Sequence, residues 1–206
     1  MDLLLEDQNR IYISNALNET ELSHHLSVNK PNFLISTGQH PLYPKNSITN
    51  EILINLLEKN QLYAVGEIGF DKKNKDFEYQ KNIFIKQTDI ANQFHKPVIV
   101  HCVGYYYELY KIIKENFPKT NFILHRFQGS KEVIQTLSQF NVIFSLHESI
   151  IKIKNSSSII KEIIENHRFA FETDIDDTNE HDVIKTMEII DKLNNYQLSS
   201  INYQLI

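Results

Sequence analysis

Seven short runs of apolar, β-favouring residues recur along the chain, and this beat constrains the fold more than any other feature. They occupy residues 11–14, 33–37, 63–66, 98–101, 122–125, 142–146 and 169–173. Each run is nearly continuously apolar, the pattern of strands buried on both faces of a parallel sheet rather than of half-exposed strands. Between them lie segments with helical spacing. In residues 51–62, Ile52, Leu53, Leu56 and Leu57 line one face, and in 79–95 Ile83, Ile90, Ala91 and Phe94 do the same. Residues 159–164 and 183–193 repeat the pattern. Strand and helix in alternation imply an α/β fold with right-handed crossovers. Seven strands are one short of a TIM barrel.

Composition narrows the class. A chain of 206 residues is long enough to bury a core without a disulfide or structural metal, and its lone cysteine, Cys102, excludes an intramolecular disulfide. One cysteine fits a reducing compartment, so the expected location is cytoplasmic. No apolar run reaches the length of a membrane span, and the opening residues lack the basic region of a signal peptide. With 21 basic and 26 acidic residues the net charge is −5, which argues against a basic nucleic-acid module. Any DNA contact would rest on local cations, with Lys72, Lys73 and Arg126 as the candidates.

In parallel α/β folds chemistry sits where strands end. Past the second run comes His40 in Gly38-Gln39-His40-Pro41, and past the third comes Glu67. The fourth and fifth runs end in His101 and His125, and the sixth leads to His147-Glu148. The seventh closes in Glu172-Thr173-Asp174. Imidazoles and carboxylates gathered at one mouth are the donors that Zn²⁺-class ions prefer. Singly each has an ordinary structural role: His40 as a turn brace, Glu67 as a helix N-terminal acid. His147 stands open between neighbour of the site and bystander. His24 and His25 fall on a surface helix, and His95 reads as a helix C-terminal cation. Asp176 and Asp177 read as solvated loop acids. The joint pattern of Glu67, His101, His125 and Asp174 points to a metal centre.

Those residues also carry a family resemblance. The segments Gly66-Glu67-Ile68-Gly69-Phe70-Asp71, Pro97 to Cys102, Leu124-His125-Arg126-Phe127-Gln128-Gly129-Ser130 and Glu172-Thr173-Asp174 resemble, in order and spacing, the TatD-like metal-dependent deoxyribonucleases. Gly38-Gln39-His40-Pro41 is similar to that family's Gly-x-His-Pro turn. The resemblance implies a TIM-type (β/α) barrel over a single domain, residues 1–206, and a phosphodiesterase site. Glu67 would be the shared metal ligand and His101 and His125 the histidines of one ion. Asp174 would be a ligand of the other ion and the base that orients the attacking water. His40, Arg126 and His147 would stand near the site.

The chain departs from the resemblance in one respect. The family's first strand ends in His-x-His, and this sequence contains no such motif, its Met1 falling just before the match to the second strand. The expectation is therefore an incomplete barrel that lacks the first strand and binds about one divalent ion, Zn, Mg or Mn, rather than two. Arg126 also replaces a smaller residue. An open barrel edge calls for a cover: a homo- or hetero-oligomeric partner, or the strand-like tail at 200–206. The expected function is hydrolysis of phosphodiesters, DNA among them, on a substrate taken from solution and not from a membrane. The alternatives are a degenerate barrel serving as a binding or scaffold subunit, and an amidohydrolase on a small molecule. No P-loop, Gly-x-Ser-x-Gly or His-Glu-x-x-His occurs.

Overall fold

A computed structural model of the chain describes residues 12–28, 30–43, 48–172, 174 and 188. Seven strands form one parallel sheet in sequence order: β1 (Tyr12–Ala16), β2 (Phe33–Thr37), β3 (Ala64–Asp71), β4 (Val98–Val103), β5 (Phe122–Leu124), β6 (Val142–Leu146) and β7 (Phe169–Phe171). Six helices connect them: α1 (Glu19–Ser27), α2 (Asn50–Glu58), α3 (Phe77–Gln93), α4 (Tyr106–Asn116), α5 (Lys131–Leu137) and α6 (Ser156–Asn166). A 3-10 turn over Glu148–Lys152 follows β6. Strand order that follows chain order, with a helix between each successive pair of strands, is the winding of a (β/α) barrel.

Each strand lies where the apolar beat places it, with shifts that matter for the site. Strand β3 is longer than its expected run and carries Glu67 inside the strand rather than past its end. Its register with β4 slips between Val65 and Ile68, a bulge that re-aims the intervening Glu67. Gly66 sits there at φ +147°, where an added Cβ would run into the Ile99 backbone. Only glycine permits this close approach of β3 to β4.

Side-chain alternation then sorts the two faces of the sheet. On β4, Val98 and Val100 pack with Leu109, Ile112 and Ile113 of α4 in the large core between sheet and helices. Ile99 points the other way and joins Ala64 and Ile123, with Ile13 and Ile143 against them, in a small second cluster. His101 and His125 follow Ile99 and Ile123 by two residues, so they share that inner face. The small cluster forms the floor beneath them. Deleting side-chain volume under such a floor, as in Ile99→Ala, costs about 2–5 kcal/mol.

Among the described residues, β1 and β7 each pair with one strand only. The strand-like tail at 200–206 and the helical pattern at 183–193 lie outside the described residues, apart from Glu188. None of the described helices is long and apolar enough to cross a membrane. His25, expected at the surface, is half-buried: its ring meets Phe33 edge-on, with Nε2 3.4 Å from Ser14 Oγ.

Candidate metal centre

Five side chains, one from each of five strands or the loops that follow them, meet above the floor. Glu67 Oε2 lies 3.4 Å from His125 Nε2, 3.7 Å from His40 Nε2 and 3.9 Å from His101 Nδ1. Asp174 Oδ1 lies 3.4 Å from His125 Nε2. The donor atoms fall into two groups within 4.8 Å of one another, His40-Glu67-His101 and Glu67-His125-Asp174, and Glu67 belongs to both. The trio Glu67, His101 and His125 is thus arranged with the carboxylate between the two histidines.

The partners of each ring decide its tautomer. A carboxylate only accepts, so His101 donates its Nε2–H to Asp71 Oδ2 at 2.9 Å and is left with a bare Nδ1 facing Glu67. Likewise His125 donates Nδ1–H to Glu172 Oε2 at 3.0 Å and turns Nε2 towards Glu67 and Asp174. Carboxylates behind histidines are the usual support of metal-binding imidazoles. His40 is built differently. Its Nδ1 accepts the Leu42 backbone N–H at 3.1 Å, which puts its own proton on Nε2. That N–H points to the bare Nδ1 of His101, 3.3 Å away. His40 therefore presents a donor, not a lone pair.

The backing carboxylates are themselves fixed. Asp71 accepts the Lys73 backbone N–H at 2.8 Å, and its own N–H donates to the buried Gln80. Glu172 accepts the Ser145 hydroxyl at 2.6 Å, and its second oxygen is buried with no hydrogen-bond partner.

Charge follows from burial and neighbours. Burial pushes Glu67 up to about 7. Burial opposes charge on His125, but Glu172, Glu67 and Asp174 outweigh it and hold its pKa well above the ordinary value. For Asp174 burial is likewise outweighed, here by His125 and Arg126, which keep the carboxyl below its usual range. Burial, and then the neighbouring His101 and His125, press His40 down to about 3. Ligand bonds of about 2.0–2.2 Å set tetrahedral donors roughly 3.3–3.6 Å apart; the 3.4 Å from Glu67 to His125 Nε2 falls in that range, and the 3.9 Å to His101 Nδ1 is longer. The donor set and its tautomers fit a divalent ion.

A family model described as TatD related DNase matches residues 8–199. The chain belongs to that family. Over 120 residues it is 28% identical to an uncharacterized metal-dependent hydrolase of Methanocaldococcus jannaschii, covering 57% of this chain and 47% of that protein. Over 146 residues it is 28% identical to an uncharacterized metal-dependent hydrolase of Bacillus subtilis, covering 66% of this chain and 56% of that protein. The match thus spans about half the length of these relatives. The crystal structure of the TatD homolog YJJV from Escherichia coli has the same fold, with a TM-score of 0.80 at 21% identity over 93% of this chain and 81% of that one.

In this TatD-family chain the remaining sequence candidates scatter around the centre. Arg126 reaches Asp174 Oδ2 at 2.5 Å from the loop after β5. His147 accepts the Ser149 backbone N–H at 3.1 Å through Nδ1 and caps the 3-10 turn, outside both donor groups. Lys72 and Lys73 are exposed on the loop after β3. Asp71 and Glu172 were not singled out from the sequence, although both lie in segments that carry the family resemblance. The usable signal is an acid close to each strand-end donor in those segments.

Proposed function

We propose that this chain is a metal-dependent phosphodiester hydrolase, with DNA as the substrate class and one divalent ion, Zn, Mg or Mn, held by Glu67 with His125 and Asp174 on one side and His101 on the other. The observation that carries the reading is the pair of opposed rings: two histidines, each backed by a carboxylate, each turn the other ring nitrogen towards Glu67. The names of the family and of the metal-dependent hydrolase relatives support it. A bound ion supplies the charge that polarises a phosphoryl oxygen and acidifies water. Asp174, ionised at neutral pH, accepts the proton of the attacking water. His40, neutral and with its proton on Nε2, stands as a hydrogen-bond donor beside His101. Residues 1–206 act as one domain. A reducing compartment such as the cytoplasm suits the free, buried Cys102.

The test is turnover of bis(p-nitrophenyl) phosphate and of single-stranded DNA by protein loaded in turn with Zn²⁺, Mg²⁺ and Mn²⁺. Expected is chelator-sensitive cleavage, with Asp174→Asn slower by roughly 10²–10⁴-fold. Absence of turnover with all three ions at high enzyme concentration overturns the hydrolase and leaves a binding subunit.

A further inference from the structure

We propose that Arg126 is the anion-gripping residue of this centre, its guanidinium taking a non-bridging oxygen of the substrate phosphate beside Asp174; the assignment rests on the hydrolase reading above. Arg126 follows His125 directly and has φ +49°, the left-handed region that an arginine seldom occupies. That backbone turns the side chain across the mouth, where two contacts define it. Nη1 donates to Asp174 Oδ2 at 2.5 Å, and Nε lies 3.4 Å from Ser149 Oγ. Ser149 is tied down in turn, accepting from Gln128 Nε2 at 2.8 Å and lying 2.9 Å from His147 Nδ1. The guanidinium is therefore aimed by a buried serine and by a carboxylate of the metal group.

Steering does not use up the group. A guanidinium offers five N–H donors in a flat fork, and these bonds engage two of them. The side chain is 43% exposed, so the unused edge is open to an incoming ligand. Its charge also falls within the field of Glu67 and His147. Three carboxylates, Glu67, Glu172 and Asp174, crowd His125, and a phosphodiester adds a further negative charge. A fixed cation on the Asp174 side lets that anion approach. Arginine suits the task because its fork matches two phosphate oxygens, which a lysine ammonium cannot do.

The experiment measures binding of inorganic phosphate to the metal-loaded protein by calorimetry, alongside KM and kcat on bis(p-nitrophenyl) phosphate. Arg126→Asn is the informative variant, because asparagine accepts the left-handed backbone; Arg126→Gly accepts it too and serves where the first does not fold. Expected is at least a tenfold loss of phosphate affinity and a comparable rise in KM, with metal content unchanged. Arg126→Lys should recover part of the affinity. Phosphate binding within twofold of the parent overturns the assignment. So does loss of the metal from either variant, since the guanidinium would then only support Asp174. Failure of the hydrolase reading looks different: the parent binds phosphate through Arg126 yet cleaves no phosphodiester.

Discussion

The Glu172 carboxylate stands 3.0 Å from Nδ1 of His125, across the gap between β7 and the end of β5. It holds the ring in the tautomer that leaves Nε2 facing Glu67 and Asp174, and it makes that nitrogen more basic. Glu172→Gln keeps the size but removes the charge and leaves the tautomer unfixed. Metal affinity should fall by about 10–100-fold, the usual cost of losing such a support. Competition with a chromophoric chelator measures it. Parent-like affinity in Glu172→Gln would show that His125 needs no support.

Metal uptake should release protons. Glu67 in the metal-free centre titrates at about 7 and His125 well above 6.5, so at pH 6 both carry protons that an ion must displace. Affinity therefore falls as pH drops from 8 to 6. Calorimetry in buffers of different ionisation heat should find more than one proton released per ion at pH 6. Release of none would contradict the protonation scheme.

The same two groups set the stability of the metal-free protein. Both have folded pKa values above their unfolded ones, so their contribution is complete at low pH and is lost as pH rises through the folded values. Between pH 7 and 8.5 the melting temperature of the chelated protein should fall, while that of the metal-loaded protein stays level. A chelated protein that gains stability over this range would reverse the sign.

His40 should stay neutral in acid. Burial presses its pKa down to about 3, and the Leu42 N–H fixes its lone pair on Nδ1. Imidazole nitrogen shifts followed by NMR should hold the Nε2–H pattern down to pH 5. Protonation near 6.5 would remove His40 as a neutral donor.

The candidate cluster is legible in the sequence because a parallel sheet brings strand ends together, which gathers His101, His125, Glu67 and Asp174 without knowledge of any distance. Their supports depend on register. Asp71 meets His101 only because Gly69 pairs with His101 across β3 and β4, and Glu172 meets His125 from 47 positions away. No local pattern reports either contact. Helix ends were misjudged for local reasons. Asn60, at φ +52°, ends α2 before Leu62, and the Asp76 side chain caps α3 so that it starts at Phe77, two residues before the expected segment at 79–95. Helices α4 and α5 carry weaker end signals: one opens on Tyr106-Tyr107 with no side-chain cap, and the other is 7 residues long.

That register makes Gly69 a sharp test of how the fold positions the metal centre. It lies in β3 at φ +138°, midway between Glu67 and Asp71 and opposite His101. A Cβ there would press into the His101 carbonyl oxygen and sit 3.3 Å from a Val100 methyl. The obstacle is backbone, which cannot swing aside as the end of a long side chain can. Alanine must therefore abandon this backbone conformation or push β4 away, and either change moves His101 relative to Asp71 and Glu67. Gly69→Ala should lose about 2 kcal/mol or more in urea unfolding, the scale of overpacking plus backbone strain. It should also weaken metal binding, because the displaced ring no longer faces Glu67 squarely. Both quantities come from the same preparation, by urea titration and chelator competition. Parent-like stability together with parent-like metal affinity would show that β3 and β4 are not locked together at this point.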